Sequence, residues 1–259
     1  MPRHISRSTA SARRLVSWQI AAPNFITLLA LCAGLTGLVM AANGRIADAV
    51  ACILIAALLD GCDGRVARLT GGASKFGAEL DSLADVVSFG AVPAFILYQW
   101  GLSEFGLAGW IPCLALASCS ALRLARFNVM TADPNRPSWM AGYFTGVPAP
   151  GGAFLAMAPV YADLAGLIDP GQAASIALIW TAVVALLMVS RWPTFSGKSL
   201  GRKVPRLMLV PPILLAFLVL ASLALWRWPT LLFLAVFYVA SLPFSLWRFQ
   251  LRLKRKQSA

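Results

Sequence analysis

Long apolar runs alternate with short polar breaks along this chain. Eight runs can be read near 24–42, 46–69, 81–100, 107–127, 145–167, 172–190, 207–226 and 230–247. A helix needs about 20 apolar residues to cross a bilayer core, so the pattern predicts an all-α integral membrane protein with about eight transmembrane helices. The second run is the imperfect one, because it passes into the polar stretch 60–85, DGCDGRVARLTGGASKFGAELDSLAD. Spacing inside that stretch is helical. Asp60, Asp63, Gly64, Ala67 and Arg68 share one helix face, and Gly77, Asp81 and Asp85 share one face of a second helix. Between them, 69–76 carries Gly71 and Gly72 and can turn the chain back. The two faces would then bring four carboxylates together near a membrane surface.

Composition supports the membrane reading. The chain has 259 residues, 59% of them hydrophobic and 12% charged, which excludes an ordinary soluble domain. One membrane domain is expected over 19–248, with a basic segment at 1–18 and a basic tail at 249–259. The net charge of +12 would suit nucleic acid, but its distribution argues for topology instead. All of the 22 basic residues except Arg45 and Arg227 fall on alternate ends of the predicted spans. By the positive-inside rule, both termini and the Asp cluster face the cytoplasm of a cell (inner) membrane. The basic residues then contact anionic lipid, and nucleic acid is excluded as a partner. Cys32, Cys52, Cys62, Cys113 and Cys119 read as buried small apolar residues without a disulfide framework. Trp residues near the predicted span ends read as an interfacial belt.

Half of the ten acidic residues lie in 60–85: Asp60, Asp63, Glu79, Asp81 and Asp85. Each Asp at a bilayer centre costs roughly 2.5–3.5 kcal/mol even on insertion scales, and close carboxylates also repel. A compensating cation is expected, and hard oxygen donors suit Mg2+, Mn2+ or Ca2+ rather than zinc. The plainer alternative is pairing with Arg65, Arg68 and Lys75. Glu79 lies off the shared face and is expected to be peripheral. Gly64, Ala67 and Gly77 are small and admit a flat group close to the backbone. Arg68 can grip phosphate oxygens bidentately. Ser74 is either a hydroxyl donor or a simple loop residue. Asn24 and Thr27, after Pro23 at the expected start of the first span, are either helix caps or ligand contacts. Pro93 should kink the third span. Arg123 and Arg126 end the fourth, as membrane anchors or as receivers of a carboxylate or phosphate. The irregular start at 146–152 is tolerated at membrane depth only where it is buried or lines a cavity.

The spacing Asp60-x2-Asp63-Gly64-x2-Ala67-Arg68-x8-Gly77-x3-Asp81-x3-Asp85 resembles the complete signature of the CDP-alcohol phosphotransferase family. That resemblance implies a helical bundle of the family's type and an enzyme of membrane phospholipid synthesis. An alcohol attacks a CDP-linked lipid, and CMP leaves. It also implies divalent Mg2+ or Mn2+ held by Asp60, Asp63, Asp81 and Asp85, with Asp85 as general base. Asn24, Thr27, Gly64, Ala67, Arg68, Ser74 and Gly77 would bind the CDP-lipid. A homodimer is implied as well. Four further pieces are similar to bacterial and archaeal CDP-diacylglycerol–serine O-phosphatidyltransferases: PNFIT at 23–27, DSLADVVSFGAVPA at 81–94, RLARFN at 123–128 and GVPAP at 146–150. They imply CDP-diacylglycerol and L-serine as substrates, with Arg123 or Arg126 receiving the serine carboxylate. Gly151 and Gly152 depart from this pattern, which leads one to expect alanines. Choline or glycerol 3-phosphate is the alternative acceptor, and a divalent-cation transporter is the distant alternative.

Overall fold

The structure is a computed structural model and describes residues 6–132, 143–190, 193–195 and 210–257, with side chains for 18–131, 146–190 and 217–244. The basic positions Arg136, Arg191, Lys198, Arg202, Lys203 and Arg206 lie outside the described residues. The chain divides into two compact units, Met1–Gln99 and Trp100–Ala259.

In the first unit, α1 (Ser6–Ala42) and α2 (Ile46–Thr70) form a hairpin. The turn between them uses Gly44 at φ +73°, a left-handed conformation that glycine adopts without penalty. Helix α1 turns Ala30, Gly34, Gly37 and Ala41 inward, at spacings that keep them on one face. A Cβ on Gly37 would stand 3.3 Å from the Ala49 carbonyl oxygen of α2. Between membrane helices the drive to associate is close packing, so small residues at the contact are what let these two backbones approach.

Helix α2 ends at Gly71, whose φ of +68° lets its N–H cap the Ala67 carbonyl. The chain reverses and enters α3 (Lys75–Val86), where Ser74 Oγ accepts the Gly77 N–H at 3.0 Å. A five-residue π-helical segment, Val87–Ala91, joins α3 to α4 (Val92–Trp100). Pro93 explains that segment: it has no N–H to give to Phe89 four residues back. The widened turn lets the Val92 N–H reach the Val87 carbonyl instead. The expected kink at Pro93 is therefore taken up as a π-bulge.

In the second unit, α5 (Leu107–Ala132) packs on α8 (Pro170–Val189). Between them come two short helices, α6 (Ala149–Ala156) and α7 (Ala158–Leu164). Arg126 of α5 donates to the Val189 and Ser190 carbonyls at 2.7 and 3.0 Å, closing the C-terminal end of α8. Trp100 Nε1 donates to Asp163 Oδ2 at 2.8 Å, and Trp180 Nε1 to the Leu155 carbonyl at 2.7 Å. Two short strands, β1 (Tyr143–Thr145) and β2 (Pro193–Phe195), pair antiparallel with Phe144 opposite Thr194. Helices α9 (Val210–Leu225) and α10 (Arg227–Gln257) complete the unit.

The protein is an all-α multi-pass membrane protein apart from that small ribbon. Among the described residues, five helical stretches are long and apolar enough to cross a membrane: Trp18–Ala42, Lys75–Trp100, Leu107–Thr131, Pro170–Val189 and Arg227–Phe244. Three of the eight expected spans do not meet that standard, each for a visible reason. Helix α2 has the length but carries Asp48, Asp60, Asp63, Arg65 and Arg68. The run at 145–167 is divided at Met157 into α6 and α7. Helix α9 is 16 residues long.

Two further expectations need correction. Pro23 does not open a helix but lies inside α1, which runs back to Ser6. Cys32 and Cys62 are exposed rather than buried, because they fall on the outer faces of their helices; Cys113 is buried as expected.

Candidate functional site

The site is built where α1, α2 and α3 meet at the 71–74 turn. Close packing of that turn comes from Gly72, which is buried against the backbone of Gln19 on α1, so that any Cβ there would collide with the Gln19 carbonyl. Thr70 Oγ1 also reaches the Gln19 carbonyl, at 3.4 Å. These contacts set the start of α3 beside α1 and across from the polar end of α2.

Three carboxylates converge there. Asp60, Asp63 and Asp81 each offer an oxygen, and the three lie within 4.8 Å of one another. Asp63 is 5% exposed. Its Oδ2 lies 2.6 Å from Thr27 Oγ1, which also lies 3.1 Å from the Pro23 carbonyl. The shorter of the two contacts is the one to the Asp63 carboxyl. Thr27 is thus a contact to the cluster and not a helix cap. Asp81 Oδ1 is buried and has no hydrogen-bond partner among the described residues. Among those residues no ion pair joins Asp63 or Asp81 to Arg65, Arg68 or Lys75. A convergent all-oxygen set with a buried, unpartnered carboxylate oxygen fits a hard divalent cation.

Asp85 sits one turn beyond Asp81 on α3 and is outside the group of three. The spacing of Gly77, Asp81 and Asp85 is helical as expected. What the spacing did not contain is the distance across to α2, which favours Asp81. Glu79 is exposed.

A cleft of about 220 Å³ opens beside the carboxylates. It is lined by Asn24 and Thr27 of α1, Asp63, Gly64, Ala67 and Arg68 of α2, and Ser74, Gly77 and Asp81 at the start of α3, with Pro23, Gly72, Ala73 and Ala78. All seven residues expected to hold the CDP-lipid are among them. A Cβ on Gly77 would stand 2.7 Å from Asn24 Oδ1 and 3.1 Å from Ser74 Oγ, so the bare backbone is what leaves the floor open. Ser74 caps α3 and also lines the cleft. Ala73 and Ala78 were not singled out by the signature. Ala78 follows Gly77 of the signature on α3, and Ala73 lies in the turn before it.

Arg123 and Arg126 belong to the second unit. Arg123 is 6% exposed, with its guanidinium 5.6 Å from the Phe127 ring centroid. Arg126 is engaged on the end of α8. The departure at 151–152 has a packing reason: a Cβ on Gly152 would stand 2.5 Å from Met188 Sδ. Met188 occupies the space that an alanine would need.

Comparison with known proteins adds the following. A family model described as CDP-alcohol phosphatidyltransferase matches residues 20–192. The chain is 36% identical to a CDP-diacylglycerol--serine O-phosphatidyltransferase of Mycobacterium leprae over 245 residues, 92% of this chain and 78% of that protein. A protein of the same name from Mycobacterium tuberculosis is 47% identical over 141 residues, about half of either chain, at 54% and 49%. One from Helicobacter pylori is 34% identical over 190 residues, 73% of this chain and 78% of that protein.

Proposed function

The chain belongs to the CDP-alcohol phosphatidyltransferase family, and from that we propose that it transfers the phosphatidyl group of CDP-diacylglycerol to the hydroxyl of L-serine, giving phosphatidylserine and CMP. One observation carries this reading: a single cleft is lined by Asp63 and Asp81, two of the three convergent carboxylates, and by every residue expected to grip the CDP-lipid. Relatives named for the serine reaction supply the acceptor.

Each side chain then has a part. Gly64, Ala67 and Gly77 admit the cytidine ring, and Asn24 bounds it. Arg68 binds phosphate oxygens. Thr27 holds the Asp63 carboxylate in place through its 2.6 Å contact. Asp60, Asp63 and Asp81 would hold Mg2+ or Mn2+, with Asp85 as a further ligand. A divalent ion there supplies charge neutralisation for the pyrophosphate and its leaving group. Asp85 accepts the proton of the serine hydroxyl as that oxygen bonds to the phosphatidyl phosphorus. The bond from that phosphorus to the CMP oxygen breaks, and CMP leaves with the electron pair. Arg123 receives the serine carboxylate. Arg126, tied to α8, sets the end of the helix beside it. The active site and both termini face the cytoplasm of the inner membrane, and the protein works as a homodimer.

The test is acceptor choice. Purified protein in detergent or vesicles is given CDP-diacylglycerol, Mn2+ or Mg2+, and labelled L-serine, choline or glycerol 3-phosphate. Phosphatidylserine and stoichiometric CMP are expected with serine alone. Product with another alcohol only would remove the serine assignment and keep the reaction class. No CMP with any acceptor would leave ion transport as the rival to examine.

A further inference from the structure

Within the first unit, α1 and α3 run side by side in one register. Near the 71–74 turn, a Cβ on Gly77 would stand 2.7 Å from Asn24 Oδ1. Further along both helices, a Cβ on Gly34 would stand 2.7 Å from Ser88 Oγ. Asp81 and Asp85 fall between these two contacts. Asp81, Asp85 and Ser88 follow one another at helical spacing, so they share a face. Ser88 belongs to the π-helical segment Val87–Ala91, and such segments occur frequently at functional sites. It is 1% exposed, and its Oγ has no hydrogen-bond partner among the described residues. A helical serine commonly bonds a carbonyl one turn back, and here even that bond is not made. A hydroxyl sealed from water without a partner is costly. An alanine would pack against Gly34 without that cost, so packing alone does not account for the hydroxyl. Asp63 shows what a neighbouring hydroxyl can do, since Thr27 holds it at 2.6 Å.

We infer that Ser88 is a positioning residue for Asp85. The inference rests on the general-base reading of Asp85 above. Helical side chains lean toward the N-terminus, so Ser88 overlies the turn that carries Asp85. Rotation about the Cα–Cβ bond, from one staggered well to another, carries the hydroxyl from the Gly34 side to the Asp85 carboxylate. There it donates to one carboxylate oxygen and leaves the other aimed at the hydroxyl of the acceptor alcohol. Gly34 supplies the room for this rotor, because a methyl there would press on Ser88 Oγ and, at 3.1 Å, on its Cβ. Ser88 lies beyond the signature positions and outside the lining of the cleft, so it acts through Asp85 and not on substrate.

Steady-state kinetics and thermal melting of full-length Ser88→Ala test this. Losing one hydrogen bond to a charged base predicts a fall in kcat of roughly tenfold. KM for serine and for CDP-diacylglycerol should each stay within about twofold, because neither substrate touches Ser88. Melting of the metal-free protein should hold or rise by up to about 2–4 °C, because the unpartnered hydroxyl is gone. Ser88→Thr keeps the hydroxyl and should retain most of the turnover. In Asp85→Asn, whose residual turnover is read from CMP release, adding Ser88→Ala should cost less than about twofold, since the group it serves is already lost. Should Ser88→Ala fail to accumulate, Gly34→Ala carries the test, with the same split between kcat and KM expected as its methyl displaces Ser88 Oγ. A lowered melting temperature with raised KM for both substrates would make Ser88 a packing residue and overturn the inference. An unchanged kcat in Ser88→Ala, or a loss that persists undiminished in Asp85→Asn, also overturns it while Asp85 stays the base. If Asp85→Asn turns over like the wild type, the general-base reading falls, and this inference with it.

Discussion

The two units handle polar side chains in opposite ways. In Met1–Gln99, polar groups gather at the shared end of three helices. They line one cleft and are spaced by the helical repeat. In Trp100–Ala259, they are buried along helix interiors, as with Ser120, Arg123 and Thr181. The first arrangement suits ions and phosphates that arrive from water. The second suits a small polar solute held away from water, or helix-to-helix registration. Of the charged side chains between 60 and 75, Asp63 and Arg68 face the cleft instead of hydrocarbon.

The sharpest way to break this contrast is to remove the cation. Chelation with EDTA, or Asp81→Asn, should lower CMP release by about 10³-fold. That corresponds to several kcal/mol of charge stabilisation at a tenfold loss per 1.36 kcal/mol. Added Mn2+ should restore the chelated enzyme but not the variant. Activity that survives chelation would show that the three carboxylates are held by neighbouring cations instead.

Next comes Asp85→Asn, with an expected fall in turnover of about 10²–10⁴, the usual contribution of a general base. Binding of CDP-diacylglycerol should persist in this variant and fall in Asp60→Asn. Direct binding measurements on the two variants separate the roles. Equal loss in both would make Asp85 an ordinary ligand, despite its place outside the group of three.

The first unit was readable from sequence because its site lies on two helices joined by a short turn. Asp60, Asp63, Gly64, Ala67 and Arg68 share a face by periodicity alone, and Gly71 and Gly72 announce the reversal. Tertiary contacts supplied what periodicity does not hold: Thr27 bonding Asp63 across 36 residues, and Gly72 seated on Gln19. The same limit explains Pro23, which reads as a helix start but sits within a 37-residue helix. In the second unit, long-range packing decides nearly everything. Arg126 reads as an anchor or a ligand, yet its donors go to the end of a helix more than 60 residues away. Met157 carries no breaker signal, although the run divides there, just before Pro159. The ribbon at 143–145 and 193–195 joins two segments whose flanking polar loops show no strand alternation.

Gly77→Ala probes the cleft more gently. The new methyl would press on Asn24 Oδ1 and Ser74 Oγ. One displaced polar contact predicts a rise of roughly tenfold in KM for CDP-diacylglycerol, with serine KM little changed. A change in serine KM alone would place the alcohol, and not the nucleotide, over Gly77.

The smallest expected effect is at the matching glycine of the second unit. Gly152 lies in α6, where alanine is favoured over glycine by about 0.5–1 kcal/mol from backbone entropy. Against that, the methyl would stand 2.5, 2.8 and 2.9 Å from Met188 Sδ, Cε and Cγ. Movement of Cγ requires more than a swing of the flexible tip, and Met188 is fully buried. Overpacking of this kind costs about 1–3 kcal/mol, so Gly152→Ala should be destabilising by about 1 kcal/mol net. A thermal shift of about 2–4 °C downward is the readout for a chain of this size. Both KM values should hold, because Gly152 meets Met188 and not the cleft. The paired glycine substitutions therefore separate the units: Gly77→Ala moves a KM and Gly152→Ala moves a melting temperature. A Gly152→Ala protein with normal melting and raised serine KM would bring the wall of α6 into the acceptor site. It would also make the departure from alanine at 152 a matter of substrate fit and not of packing against Met188.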